Sequence, residues 1–320
     1  MKNALNKIWK SYSIGVVVVV VGIVLGFLTP RFMSLDNLLN VMTNASLVAI
    51  VGLGMTLAIA SGNFDLSVGS TAAFAGCISF SLVPSIGVPA SIVAGLVAGA
   101  IVGFINGLII TELRVPAFIA TLGMMTIIRG AALIYTDGKD LYLFGQTGYK
   151  VLSGEYLFGI PTPILLAVGI ALLLSFVVSQ TRFGRHILAI GSNLSAAQRS
   201  GIPTSRVLWV VFSIIGATAA LSGMIISSQV LTANGRLATG LELSAIAVVV
   251  LGGTALSGGH ATMVGTLFGA LLISMVNNGL NLLNVPIFYQ ELTVGVLMLG
   301  ALAVNMNQGF DFRSLLRRQA

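Results

Sequence analysis

The feature that most restricts this chain is its long, unbroken apolar runs: Ala90 to Ile110 holds no ionisable side chain, and Ser13 to Leu28 repeats the pattern. Such runs match the roughly 20 residues a helix needs to cross a hydrocarbon layer about 30 Å thick. Only helices and closed barrels satisfy their own backbone there, and barrel strands would alternate over about ten residues. Continuous runs select helices. Only 8% of the 320 residues are charged and 56% are hydrophobic, with a mean hydropathy of +1.02, whereas a soluble domain carries roughly 25% charged residues. The chain therefore reads as an all-α integral membrane protein, a polytopic bundle forming one transmembrane domain over residues 1–320.

Apolar stretches between breakers predict ten spans, near 13–29, 43–61, 66–83, 90–111, 115–136, 162–180, 207–230, 244–258, 262–283 and 289–305. Orientation follows from Lys and Arg, which concentrate in short cytoplasmic segments. With the N-terminus inside, those segments collect Lys2, Lys7, Lys10, Arg114, Arg182, Arg185, Arg199, Arg206, Arg313, Arg317 and Arg318, 11 of the 16 basic residues. Arg31, Lys139, Lys150 and Arg236 fall outside, and Arg129 lies within a span. Both termini and the loop 181–206 are thus expected in the cytoplasm, with a periplasmic loop at 137–161. The net charge of +7 is a topology signal and does not call for nucleic acid. The basic start before Val16 to Val21 resembles a secretory signal, but no small-residue cleavage site follows, so an uncleaved first helix is expected. Cys77, the single cysteine, can form no internal disulfide and reads as packing.

Gly95, Gly99, Gly103 and Gly107 recur every fourth residue, a face that lets a neighbouring backbone approach closely. A second pattern hints at an internal repeat. Ser46, Leu53, Gly54, Thr56, Ser61, Gly62, Val68, Gly69 and Ser70 are echoed by Ser244, Leu251, Gly252, Thr254, Ser257, Gly258, Val264, Gly265 and Thr266. Transporter folds often contain repeats, yet many of these residues are common in any membrane helix.

The loop 181–206 is the longest cytoplasmic connection. Ser192 or Asn193 can cap a short helix, Leu194 to Ser200 can form it, and Gly201 with Pro203 is a stop. A helix this short is unstable alone, so it rests either on lipid headgroups or on a docked cytoplasmic partner.

Several stretches resemble the ribose-type permease subunits of bacterial ABC sugar importers, in the branched-chain amino acid and ribose permease superfamily. They are Gly54-Met-Thr56, Ser61-Gly62 with Asp65-Leu-Ser-Val-Gly-Ser70, Pro116-Ala-Phe-Ile-Ala-Thr-Leu122, Gly184-Arg185 with Ala189-Ile-Gly191 and Asn193, Ser200-Gly-Ile202, Val250-Leu-Gly-Gly-Thr254 with Ser257-Gly-Gly259, and Asn277-Asn-Gly-Leu-Asn-Leu-Leu283. The resemblance runs over nearly the whole chain. It implies a multi-pass protein of the bacterial inner, or plasma, membrane that works with cytoplasmic ATPase subunits, a periplasmic solute-binding protein and a second permease copy. It also implies that the loop carries the helix that docks on the ATPase, through Gly184, Arg185, Ala189, Gly191, Asn193, Ala196, Ala197, Gly201 and Ile202. Many relatives have Gly-Gly-Asn there with an acid soon after. Here Ser192 precedes Asn193 and no acid follows, which leaves the loop more basic.

Candidates for a translocation path or gate are few. Asp65 sits between two spans, either as a helix cap or as a gating charge. Arg129, about seven residues from a span end, is expected to snorkel. Asn277, Asn281 and Asn284 recur at i, i+4 and i+7. Their amides suit sugar hydroxyls, and equally suit bonds between helices. Tyr142, Phe144, Tyr149, Tyr156 and Phe158 are expected to anchor the outer loop at the interface, with contact to a binding protein as the sharper reading.

No phosphate-binding Gly-x-x-x-x-Gly-Lys motif occurs, so the chain is not expected to hydrolyse ATP itself. His186 and His260 show no metal-site spacing, and neither an enzyme site, a metal nor a cofactor is expected. An ion-coupled secondary transporter is the alternative, since broken helices serve that role too. Such transporters place ionisable groups deep in the bundle, and here Arg129 and Asp65 are nearly all there is. The activity the resemblance implies is import of a sugar, whether ribose-type pentose, hexose or sugar-derived signal, by alternating access.

Overall fold

The computed structural model describes residues 2–143, 147–154, 156–157 and 159–306. Phe144, Phe158, Arg313, Arg317 and Arg318, each given a place above, lie outside the described residues. In chain order the helices are α1 (Lys2–Leu28), α2 (Leu35–Ala60), α3 (Val68–Thr111), α4 (Ala117–Tyr135), α5 (Thr162–Gln180), α6 (Arg182–Ser192), α7 (Leu194–Arg199), α8 (Thr204–Val230), α9 (Leu241–Leu251), α10 (Met263–Leu282) and α11 (Ile287–Met306). Six of them, α2, α3, α4, α5, α8 and α10, are long and apolar enough to cross a membrane.

Two expected spans, 66–83 and 90–111, are the arms of the single element α3. Gly87 breaks it at φ 76°, ψ 168°, a region essentially closed to residues with a Cβ, and Pro84 and Pro89 flank the break. The arms run antiparallel, because Gly95 faces Ala75 and Ser79 and Asn106 reaches back to Ser67.

The expected span at 244–258 needs correction. Helix α9 ends at Leu251 after 11 residues, about 16 Å at helical rise, which cannot cross the layer alone. Gly253, Gly258 and Gly259 all hold φ near +80°, so the chain after α9 leaves the helix and folds into a loop over 252–262. Thr262 fixes that loop, donating its hydroxyl proton to the Gly252 carbonyl at 2.7 Å and accepting from the Thr254 hydroxyl at 3.2 Å.

Helix α2 is the centre of the bundle. It is buried nearly all round from Ala45 to Ala60, as a helix apolar on every face should be, and it packs against α5, α8, α9 and α10. The second arm of α3 lies on α8 through the expected glycine face: Gly99 meets Gly216 and Ala220, Gly103 the Phe212 carbonyl, and Gly107 Trp209. A hydroxyl bond of 2.8 Å joins Thr56 on α2 to Thr266 on α10. The echo holds in part: Gly62 after α2 and Gly258 after α9 hold φ of +80° and +82° and a helix begins shortly after each, but Gly54 and Thr56 lie within α2 while Gly252 and Thr254 lie past the end of α9.

Arg182, Arg185, Arg199 and Arg206 gather at one end of the bundle, hereafter the basic end. At the other end, Leu141–Tyr142 pairs with Thr232–Ala233 as a short antiparallel ladder. Tyr149 is not an interfacial anchor. It is wholly buried, edge-on to Phe80 at 5.3 Å, and its hydroxyl donates to Ser79 at 2.9 Å. Ser228 of α8 donates to its carbonyl at 2.7 Å, so this turn is bolted to the helices. Burial pushes the Tyr149 hydroxyl above its ordinary pKa, which keeps it a neutral donor. Cys77 is buried, as expected.

Candidate functional site

Between α2, α8, α9, α10 and α11 lies a cavity of about 340 Å³. Its polar wall is made by Asn44, Ser244, Ser274, Asn277, Asn278, Asn281 and Gln290, and among the described residues no ionisable side chain lines it. Asn277 and Asn281 share the face of α10 that looks into the cavity, and among the described residues the buried Oδ1 of Asn277 has no partner. Asn278 is already engaged, exchanging two bonds of 2.9 Å with Asn37 on α2. Gln290 donates to the Val285 carbonyl at 3.2 Å. An unpaired buried amide oxygen is costly, and a solute hydroxyl offers the donor it lacks. Asn284 does not join this wall. It holds φ +57° just past the end of α10, with its N–H bonded to the Asn281 carbonyl at 2.9 Å, and so serves as a helix stop.

Asp65 does not line the cavity either. It is 1% exposed, and its Oδ1 accepts from the Ser67 N–H at 2.8 Å and the Ser67 hydroxyl at 2.6 Å. Its Oδ2 accepts from Asn106 at 3.3 Å. The carboxylate thus closes the turn that starts the first arm of α3 and ties that turn to the second arm. Arg129 does not snorkel: one guanidinium nitrogen donates to the carbonyls of Gly235 and Leu237, both at 2.8 Å. It pins the segment that leads into α9.

That segment brings in a carboxylate the sequence did not flag. Glu242 lies in the first turn of α9, two residues before the expected span at 244–258. Its Oε1 accepts from the Gly240 N–H at 3.3 Å, and its Oε2 is buried without a partner among the described residues. It sits against Gly69, where any Cβ would overlap its carboxylate, and within electrostatic reach of Arg129. Asn44, Ser244, Ser274, Asn278 and Gln290 were missed as well. Only the run Asn277-Asn278 carried a signal for one of them.

At the basic end the loop 181–206 folds as expected around its short helix and adds a second one. Thr181 caps α6 by accepting from the Gly184 N–H at 3.1 Å. Asn193 caps α7 by accepting from the Ala196 N–H at 2.9 Å. Gly201 ends α7 at φ +78°, with the Ile202 N–H on the Ala197 carbonyl at 3.1 Å, the expected left-handed stop. Ala197 is buried, while Leu194, Ser195, Gln198 and Arg199 are exposed. In α6, Gly184, Ile187 and Ile190 face inward and Arg182 and Arg185 outward.

Helix α6 ends on the helices that bound the cavity. A Cβ on Gly191 would fall on the Ala60 carbonyl and close to the Gly259 N–H, and one on Gly258 would fall on the Gly191 backbone. The Gly259 N–H donates to the Ala60 carbonyl at 2.9 Å. Three backbones, from the end of α2, the end of α6 and the loop between α9 and α10, therefore meet without side chains between them. Gly191 at this junction stands two residues before Asn193, the cap of α7.

Residues 37–302 match the family model described as branched-chain amino acid transport system, permease component. The chain is 42% identical over 285 residues to the ribose import permease protein of Bacillus subtilis strain 168, covering 88% of each chain. It is 39% identical to the ribose import permease protein of Escherichia coli K12, over 87% of this chain and 88% of the relative. Identity with the L-arabinose transport system permease protein of the same strain is 36%, over 92% and 90%. This chain is a membrane-embedded transport subunit and not an enzyme, and its place is the bacterial inner, or plasma, membrane. It belongs to the branched-chain amino acid transport system permease component family.

Proposed function

We propose that this chain is the pore-forming permease of an ABC importer that carries a neutral, hydroxyl-rich solute of the pentose class inward. The carrying observation is the cavity between α2, α8, α9, α10 and α11, whose wall, among the described residues, offers amides and hydroxyls and no charge. An amino acid would bring an ammonium and a carboxylate into that wall with nothing to pair them. A sugar brings only hydroxyls, which amides meet as donor or acceptor. Names of the relatives that mention ribose and L-arabinose support the same class.

In this reading the basic end faces the cytoplasm, and both termini lie there. The ten segments are α1, α2, the two arms of α3, α4, α5, α8, α9 with its following loop, α10 and α11. Two copies of the single membrane domain form the pore. A periplasmic binding protein delivers solute to the outer end. Cytoplasmic ATPase subunits receive the loop 184–202, with Asn193 and Gly201 setting the ends of the docking helix and Leu194, Ser195, Gln198 and Arg199 presenting its exposed face. ATP-driven closure moves α7, α6 carries the displacement, and Gly191 shifts the ends of α2 and of the loop after α9. Those two ends are continuous with two walls of the cavity, so the cavity changes the face to which it opens. Asp65 holds the start of α3 during that movement.

Uptake of labelled ribose by proteoliposomes holding the whole importer tests the reading. Asn277→Leu removes one amide from the wall, worth about 1 kcal/mol or more, and is expected to lower uptake roughly tenfold. ATPase stimulation by the loaded binding protein should persist. Uptake that survives ATP depletion and collapses with the proton gradient would overturn the proposal in favour of a secondary transporter.

A further inference from the structure

A second cavity, of about 520 Å³, lies far from the amide wall, on the outer surface where the second arm of α3 meets α8. Its lining runs along α8 from Arg206 to Ala217 and along α3 through Ala100 and Phe104. Eleven residues of helix are about 16 Å, close to half of the roughly 30 Å hydrocarbon layer. The groove is therefore one leaflet deep. Its few polar atoms are already spent: Trp209 Nε1 donates to Thr111 at 2.7 Å, and the Ser213 hydroxyl to the Trp209 carbonyl at 2.8 Å. What remains facing outward is hydrocarbon.

The mouth of the groove is different. Arg206 is exposed in the first turn of α8, and among the described residues it has no hydrogen-bond or ion-pair partner. Arg114 stands three residues past Thr111, on the same edge of the bundle, and Glu112 offsets only one of the two charges. A cation at headgroup height above an apolar slot of leaflet depth is the complement of one acyl chain carrying a negative headgroup.

We infer that this groove is a binding site for an anionic phospholipid of the cytoplasmic leaflet, with one acyl chain along α8 between Phe104 and Ala217 and the phosphate on Arg206. The leaflet assignment rests on the orientation proposed above, but the preference for a negative headgroup does not.

The full chain, purified into nanodiscs of equal phosphatidylglycerol and phosphatidylethanolamine, is released in the gas phase and its retained lipid identified by native mass spectrometry. Phosphatidylglycerol should be retained over phosphatidylethanolamine, and Arg206→Gln should weaken that preference about fivefold, the effect of one arginine at an anionic surface. Ala217→Phe, which fills the inner end, should lower retention of both lipids. Should Ala217→Phe fail to fold, Ala100→Leu on the opposite wall serves instead. Equal retention of the two lipids by the native chain, or no change with Arg206→Gln, would overturn the site. So would an Ala217→Cys variant that crosslinks to a second copy, since the groove would then be a subunit contact. Because both leaflets of the nanodisc are alike, such a failure leaves the orientation and the transport reading untouched.

Discussion

Asp65 illustrates how one residue can be read two ways until its neighbours are known. Its carboxylate accepts from two Ser67 donors and from Asn106, so Asp65→Ala leaves buried donors without acceptors, at a cost of about 1–3 kcal/mol. Asp65→Asn keeps an acceptor for Ser67, and its new amide nitrogen faces the Asn106 Nδ2, so Asn106 must turn its amide over to offer the Oδ1 that, among the described residues, has no partner. A clear fall in melting temperature is expected for Asp65→Ala and little change for Asp65→Asn, with ribose uptake following stability. Uptake lost in Asp65→Asn at an unchanged melting temperature would show that the charge itself gates the pore. The sequence showed the acid and its helix start. It hid Asn106, because a partner 41 residues away is brought close only by the turn at Gly87.

Among the elements, α7 was the most legible, since a cap, six residues and a stop are local chemistry. Gly201 is held at φ +78° with nothing within 4 Å of where a Cβ would stand. The cost of Gly201→Val is thus confined to the backbone, about 1–2 kcal/mol for the left-handed conformation, with β-branching adding to it. The variant is expected to insert normally and hydrolyse ATP in the assembled importer while uptake falls, whereas Gly201→Asn should retain coupling because asparagine visits this region readily. Parallel measurement of ATP hydrolysis and uptake checks both. Helix α9 was the least legible. Ser244 to Gly258 is apolar enough for a span, but Gly252 and Gly253 end the helix, and the 252–262 loop is held by backbone contacts with α2, α6 and α10.

For the whole molecule, the testable consequence is where the exposed face of α7 points. Leu194 is 47% exposed, so a Leu194→Cys variant, in a background with Cys77 replaced by Ala, should react with a membrane-impermeant maleimide only from the cytoplasmic side. The ATPase subunits should protect it. Labelling from outside would reverse the topology, and labelling unaffected by the ATPase would move the docking surface elsewhere. Membrane residence, helical class, the glycine face of α3 and the capped helix at 194–199 were determined by the sequence alone, because hydrophobic run length, glycine spacing and capping are properties of neighbours in the chain. The cavity, the Asp65 and Asn106 link, the place of Glu242 and the glycine junction of Ala60, Gly191 and Gly259 were decided only by the tertiary structure. Each joins residues tens to hundreds of positions apart, and in a chain this uniformly apolar one helix face differs from another only by what is packed against it.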